Sequence, residues 1–167
     1  GDEVLFLNAA HDLTERLGPD GQLTIAVAPR LVQLMERSFP KAKIVKHATI
    51  RSNGIPVRGC PTITNWKSFD FWAPMASVLR ALRTSIDAFP KEGGFLTPDP
   101  KRVDHWRREL AALGPGLKVG FLWKSMLMTA KRSKYYSPFE QWKAPLRTEG
   151  TVWINLQYGE CQEDIER

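Results

Sequence analysis

Between Trp123 and Tyr136 the sequence reads WKSMLMTAKRSKYY. Lys124, Lys131, Arg132 and Lys134 bring cations to this stretch, and Ser125 and Thr129 bring hydroxyls. A guanidinium grips a phosphate through two parallel hydrogen bonds, and a helix N-terminus behind such a loop adds free amides and a favourable dipole. These residue types therefore suit a diphosphate cradle, although the same residues also make an ordinary solvated basic loop. Neither a Walker GxxxxGKS/T nor a GxGxxG pattern occurs. At the other end of the chain, Asp2 and Glu3 open what reads as a helix. A carboxylate placed there can take the proton of an acceptor hydroxyl, or it can simply favour the helix start through the dipole. Successive helical positions do not face each other, so the two acids are separate candidates. His11, His47 and His105 have no HxxxH or HExxH partners, and His11 falls in a helix where packing is the simpler role. No Ser-His-Asp or Cys-His arrangement is evident. Cys60 and Cys161 lack CxxC spacing and form neither a disulfide framework nor a zinc site. No metal and no cofactor is expected.

The elements that must position these groups follow an α/β rhythm. A helical stripe of Val4, Leu5, Ala9, Leu13 and Leu17 runs to the turn Gly18-Pro19-Asp20-Gly21. Residues 23–28 read as a buried strand. Pro29 opens a helix with Leu31, Leu34, Met35 and Phe39 on one face, Pro40 closes it, and residues 42–46 form a second strand. Strand, helix, strand at this spacing is a parallel βαβ unit. Residues 47–73 read as a long loop with at most one short strand. A helix covers about 74–83, and a charged helix from Asp99-Pro100 to Leu113 turns Trp106 and Leu110 inward. Gly114-Pro115-Gly116 reads as a hinge. Beyond it come a strand at 117–123, the basic loop, a helix at 138–147 started by Ser137-Pro138, a strand at 151–156, the turn Gln157-Tyr158-Gly159, and a last helix from near Glu160. In open α/β sheets, ligands bind beyond the carboxyl ends of the strands. The segments Gly1-Asp2-Glu3, 124–136 and 157–159 all fall at such ends, which adds Gln157 and Tyr158 as possible ligand-binding residues; the resemblance described below puts them on the donor side.

The chain has 167 residues, 43% hydrophobic and 25% charged, with six Trp and eight Phe. That composition is globular and soluble rather than disordered. No run is long enough to span a membrane, no signal peptide opens the chain, and the two unpaired cysteines suit a reduced, cytoplasmic setting. Net charge is +6, and from Lys118 to Arg147 seven Lys or Arg face a single acid, Glu140. This suits an anionic ligand such as a nucleotide sugar. A nucleic-acid partner is the poorer candidate, because no RRM, KH or helix-turn-helix signature accompanies the patch. The first helix has no strand before it and the last strand-helix pair is short, so the chain reads as trimmed at both ends. A trimmed sheet has an open edge through which a homodimer can form.

Several segments, taken in order, resemble one family. Gly1-Asp2-Glu3-Val4-Leu5-Phe6 with Asp12-Leu13 is similar to the opening GDE-I/V-LFxxxLxDL of heptosyltransferase-like proteins. Pro29-Arg30-Leu31 and Arg37-Ser38-Phe39-Pro40 resemble their next helix and turn. Val119-Gly120-Phe121-Leu122-Trp123-Lys124-Ser125 resembles their VGxxWRS segment, and Asn155-Leu156-Gln157-Tyr158-Gly159 their NLQYG segment. Such modules often follow tetratricopeptide repeats in bacterial proteins. The resemblance implies a GT-B fold of two Rossmann-like domains with parallel sheets and flanking helices: an acceptor-side domain at 1–115 and the start of a donor-side domain at 116–167. It implies an inverting, metal-independent glycosyltransferase that moves a sugar from a nucleotide-sugar donor to a saccharide or protein acceptor. Asp2 maps to the catalytic base, and Ser125 and Arg132 to the donor-phosphate grip, with Lys124 and Lys131 beside them. Lys124 stands where the family has Arg, and most of the donor domain is absent, so the isolated chain is expected to be inactive. A module that keeps the fold but only binds carbohydrate or protein is the alternative.

Overall fold

A computed structural model describes residues 2–91, 93–125 and 128–166. The chain is mixed α/β and divides into two units, Gly1–Arg102 and Val103–Arg167. In the first unit, helix α1 (Asp2–Phe6) passes through one 3-10 turn, Leu7–Ala9, into α2 (Ala10–Leu17). Strand β1 (Thr24–Val27) pairs in parallel with β2 (Lys43–Lys46), and α3 (Val32–Ser38) crosses between them. The βαβ unit is as expected, and its two prolines act as anticipated. Pro29 begins a 3-10 turn ahead of α3, and the helix stops before Pro40. Val27 and Met35 are fully buried, and Leu7, Ala10, Ile25 and Phe39 complete the core around them.

The opening stripe differs from the expected one. Ala9 of that stripe is buried and Val4 packs against the core, but Leu5 and Leu17 are exposed, while Leu7 and Ala10, outside the stripe, are buried. The tighter 3-10 turn rotates the residues that follow it relative to an ideal α-helix, so a strict 3.6-residue period misassigns the face. The region 47–73 also departs from the expected loop. Strands β3 (Ala48–Ser52) and β4 (Ile55–Gly59) form an antiparallel hairpin. Asn53 and Gly54, at φ 51 and 78, make its two-residue turn, the left-handed pair that such hairpins require. Helix α4 (Met75–Leu82) follows. Helix α5 (Pro100–Ala112) has Asp99 at its start, where the carboxylate accepts from the Lys101 and Arg102 amides at 2.9 and 3.3 Å. Trp106 lies exposed on this helix rather than inward.

In the second unit, β5 (Leu117–Phe121) and β6 (Thr151–Asn155) are parallel. Gly116, at φ 115, enters β5 so close to the other strand that a Cβ would lie 2.7 Å from the Gly150 carbonyl oxygen. The helix expected at 138–147 is instead two 3-10 turns, Phe139–Trp142 and Pro145–Arg147. Pro145 lacks an amide proton and its ring clashes with the carbonyl of the preceding turn, which costs a continuous α-helix about 3 kcal/mol at this position. The basic loop holds one short helical turn, α6 (Ala130–Ser133), and α7 (Gln162–Glu166) ends the described chain. Phe121 is the hub of an aromatic cluster. Its ring lies 5.3 Å from Trp123, 5.0 Å from Trp142 and 5.8 Å from Trp153. Among the described residues no acceptor reaches the buried indole N–H of Trp142 or Trp153.

Candidate functional site

The two parallel pairs end alike. The His47 amide extends the β1–β2 ladder by donating to the Val27 carbonyl, and the Leu156 amide extends β5–β6 by donating to Phe121, both at 2.9 Å. The candidate groups lie just past these carboxyl ends, where side chains and free amides are not consumed by the sheet.

In the first unit Glu3, one residue after the expected base, occupies this position. Its Oε1 accepts from the Ala28 amide and contacts His47 Nε2, both at 2.7 Å. Both side chains are 12% exposed. Burial pushes the Glu3 carboxyl up, but the hydrogen bonds from His47 and Ala28 and the nearby charges of His47 and Arg58 outweigh it and hold the group below the usual carboxylate range. Asp2 is exposed at the first residue of α1. Gly1 lies outside the described residues. The Glu3–His47 pair was not found by sequence reasoning, because 44 positions separate the two residues and no local spacing links them. The signal available was positional: His47 directly follows β2, and Glu3 lies in the first turn of α1.

A second polar cluster ties α2 to the end of α4. Arg83 Nη1 and Nη2 grip Asp12 Oδ1 and Oδ2 at 3.0 and 2.8 Å, and Nε donates to Asn8 Oδ1 at 3.1 Å. The Arg83 side chain is 4% exposed and that of Asp12 39%. The hydrogen bonds and charge of Arg83 hold the Asp12 carboxyl below its usual range against a smaller opposing effect of burial.

In the second unit, Arg132 Nη1 donates to Ser125 Oγ at 3.3 Å, so two of the residues expected to grip phosphate are neighbours. Met126 and Leu127, between them, lie outside the described residues. Lys131 is exposed on α6. Lys124 turns its ammonium to the Asp164 carboxylate, which also accepts from Trp123 Nε1 at 3.1 Å. Gln157 works on backbone. Its Oε1 accepts from the Trp123 and Lys124 amides at 3.2 and 3.0 Å, and its Nε2 donates to the Lys124 and Tyr158 carbonyls at 3.1 and 3.0 Å. One side-chain amide thereby fixes the exit of β5 against the exit of β6. The Tyr158 ring is exposed. Among the described residues, no helix is long and apolar enough to cross a membrane.

No family model and no solved structure matches the chain. The chain is 50% identical over 165 residues to Protein FlbA of Caulobacter vibrioides, an alignment that takes in 99% of this chain and 28% of FlbA. The chain thus spans less than a third of that relative's length.

Proposed function

We propose that the chain is part of a cytoplasmic GT-B-like glycosyltransferase, residues 1–115 the acceptor side and 116–167 the beginning of the donor side of a pair of Rossmann-like domains. The reading is carried by one observation: the Arg132 guanidinium and the Ser125 hydroxyl meet on a loop just beyond the carboxyl end of β5. A guanidinium beside a hydroxyl at a parallel strand's end suits an oxygen-rich anion, and fixed donors of this kind stabilise a departing diphosphate without a metal. In the transfer, the acceptor oxygen forms its bond to the sugar's anomeric carbon from the face opposite the donor. The bond from that carbon to the phosphate oxygen breaks, and the acceptor proton passes to Asp2. Arg132, Ser125 and Lys131 receive the negative charge that leaves with the nucleotide. Glu3, fixed by Ala28 and His47, holds the segment that carries Asp2.

Calorimetric titration of the full-length protein with UDP-, GDP-, ADP- and CMP-sugars tests this directly. Saturable binding is expected for one of them, weakened about tenfold or more in Arg132→Ala, with turnover then lost in Asp2→Ala while binding persists. A folded protein that binds none of these donors overturns the reading.

One observation favours the second reading, a module that binds without catalysing. The Lys124 ammonium is paired with Asp164, and the Gln157 amide is spent on four backbone groups, so two of the residues matched to the donor side have structural partners. Donor binding without turnover on any acceptor would select this alternative.

A further inference from the structure

From Arg37 to Phe69 the sequence holds seven Lys or Arg and no Asp or Glu. This stretch runs through the β3–β4 hairpin, whose register sorts the side chains onto two faces. Directly opposed residues share a face. Ile50 with Val57 and Ser52 with Ile55 therefore make one face, and Thr49 with Arg58 and Arg51 with Pro56 make the other. The first face is largely aliphatic and lies open: Ile50, Ile55 and Val57 are 52%, 66% and 42% exposed. The second carries two guanidinium groups, also exposed. A two-stranded hairpin is marginally stable alone in water, and clustered apolar side chains left open on one mark a surface that another body covers. The loop that follows enlarges the apolar surface. Phe71 and Trp72 are 92% and 78% exposed, and Trp66 is 52% exposed.

Charge and side-chain type together choose the partner. Lys41, Lys43, Lys46 and Lys67 are exposed as well. Glu3 offsets part of the Arg58 charge, and Glu36 and Asp70 bound the acid-free stretch, so the stretch keeps a positive excess. A second copy would bring its own cations against these. A nucleic acid would neutralise the cations and stack on aromatic rings, but it offers nothing to three aliphatic side chains. An anionic bilayer surface satisfies both kinds of group. Aliphatic and aromatic side chains enter the boundary between headgroups and acyl chains, while Lys and Arg stay at the level of the phosphates. The hairpin backbone remains among the headgroups, where water reaches its open edges. Arg51 and Arg58 leave from the far face, but their side chains are long and a Debye length is about 8–10 Å, so they still feel the phosphates. We infer that the β3–β4 hairpin and the aromatic loop after it form a docking surface for an anionic phospholipid bilayer, with Ile50, Ile55, Val57 and Trp72 at the acyl boundary and Arg51 and Arg58 attracted by the phosphates. The inference stands apart from the transfer reaction, since lipid binding is read with neither donor nor acceptor.

Vesicle flotation of the full-length protein tests it, with phosphatidylcholine vesicles that contain about 30% phosphatidylglycerol and with vesicles of phosphatidylcholine alone. Saturable binding to the anionic vesicles is expected, about tenfold or more weaker on the neutral ones. Ile55→Ser combined with Val57→Ser is expected to weaken it about tenfold, and Arg51→Gln combined with Arg58→Gln by about tenfold or more. Trp72→Phe keeps an apolar ring and is expected to bind nearly as well. It should lose part of the tryptophan quenching caused by lipids brominated on their acyl chains, which reports depth rather than affinity. All these side chains are exposed, and circular dichroism establishes that each variant is folded. The inference is overturned if the folded protein binds neither vesicle or both alike, if either double variant binds unchanged, or if brominated lipid quenches Trp72→Phe as strongly as the parent. Single-stranded RNA binding without lipid binding would give the patch to a nucleic acid. Self-association without lipid binding, abolished by the Ile55 and Val57 substitutions, would give it to a second copy. Either result overturns the inference and leaves the transferase reading, tested by donor titration, as it stands.

Discussion

Arg83 donates through all three of its guanidinium nitrogens. Its fork meets both oxygens of Asp12 and two atoms of Asn8 while its own side chain is 4% exposed. Lysine keeps the charge but cannot reproduce the planar bidentate contact. Arg83→Lys is therefore expected to cost about 2 kcal/mol, short of the full penalty for breaking a buried pair because Asp12 is partly open to solvent. Urea unfolding of the two chains measures it, and equal midpoints would show that the pair is ornamental. Glu3 gives a prediction in pH. Its folded carboxyl titrates below the unfolded reference of 4.5, so below that value the unfolded chain binds more protons. The stability it contributes is present above about pH 4.5 and is lost as pH falls through the lower folded value. Asp12, depressed from 3.8 by Arg83, acts in the same direction at more acid pH. Glu3→Gln should thus lower stability at neutral pH and flatten the acid limb of the profile. Parallel acid limbs in the two chains would mean that the His47 and Ala28 contacts do not favour the carboxylate.

At the scale of elements, the close approaches matter more than the helices. Gln157 serves three backbone groups at Trp123 and Lys124. Gln157→Leu, of similar volume, leaves them unpaired at a cost of about 1–3 kcal/mol. The Trp123 and Lys124 amides should then exchange with solvent markedly faster, read by hydrogen exchange, while amides within β1 and β2 stay unchanged. Gly116→Ala should destabilise the second unit by about 1–3 kcal/mol, because a methyl group must intrude on the Gly150 carbonyl from a left-handed backbone. A full-strength tryptophan transition at the original denaturant midpoint would contradict this. These features mark the limits of reading the sequence. The βαβ unit and α5 were legible because Pro29, Pro40 and Asp99-Pro100 punctuate them locally. The β3–β4 hairpin carried a local signal too, Asn53-Gly54, but its strands are largely exposed and so lack the alternating pattern that identifies a half-buried strand. Pro145 likewise argued against a continuous helix at 138–147. The Glu3–His47, Arg83–Asp12 and Gln157 contacts had no such signal, since each joins residues more than thirty positions apart.

At the scale of the whole chain, the charge of +6 is less informative than its order. Residues 118–147 hold seven Lys or Arg and one acid, whereas residues 148–166 hold five acids and no Lys or Arg. Pairing of β6 beside β5 and the Lys124–Asp164 contact fold some of this acidic stretch back onto the basic one. A long polyanion laid along the basic residues therefore meets carboxylates as well, while a compact anion at Arg132 and Ser125 need not. Counterion release makes the distinction measurable, because each phosphate neutralised adds close to one unit of slope to a plot of log affinity against log salt. Nucleotide-sugar binding by the full-length protein should weaken only about three- to twelvefold between about 50 and 200 mM salt, the change that one or two phosphate contacts produce over a fourfold rise in salt. Single-stranded RNA should show no tight, steeply salt-dependent binding. An RNA affinity that falls about a thousandfold over the same range would require six or more simultaneous phosphate contacts. It would transfer the basic loop from a donor-sugar role to a nucleic-acid one.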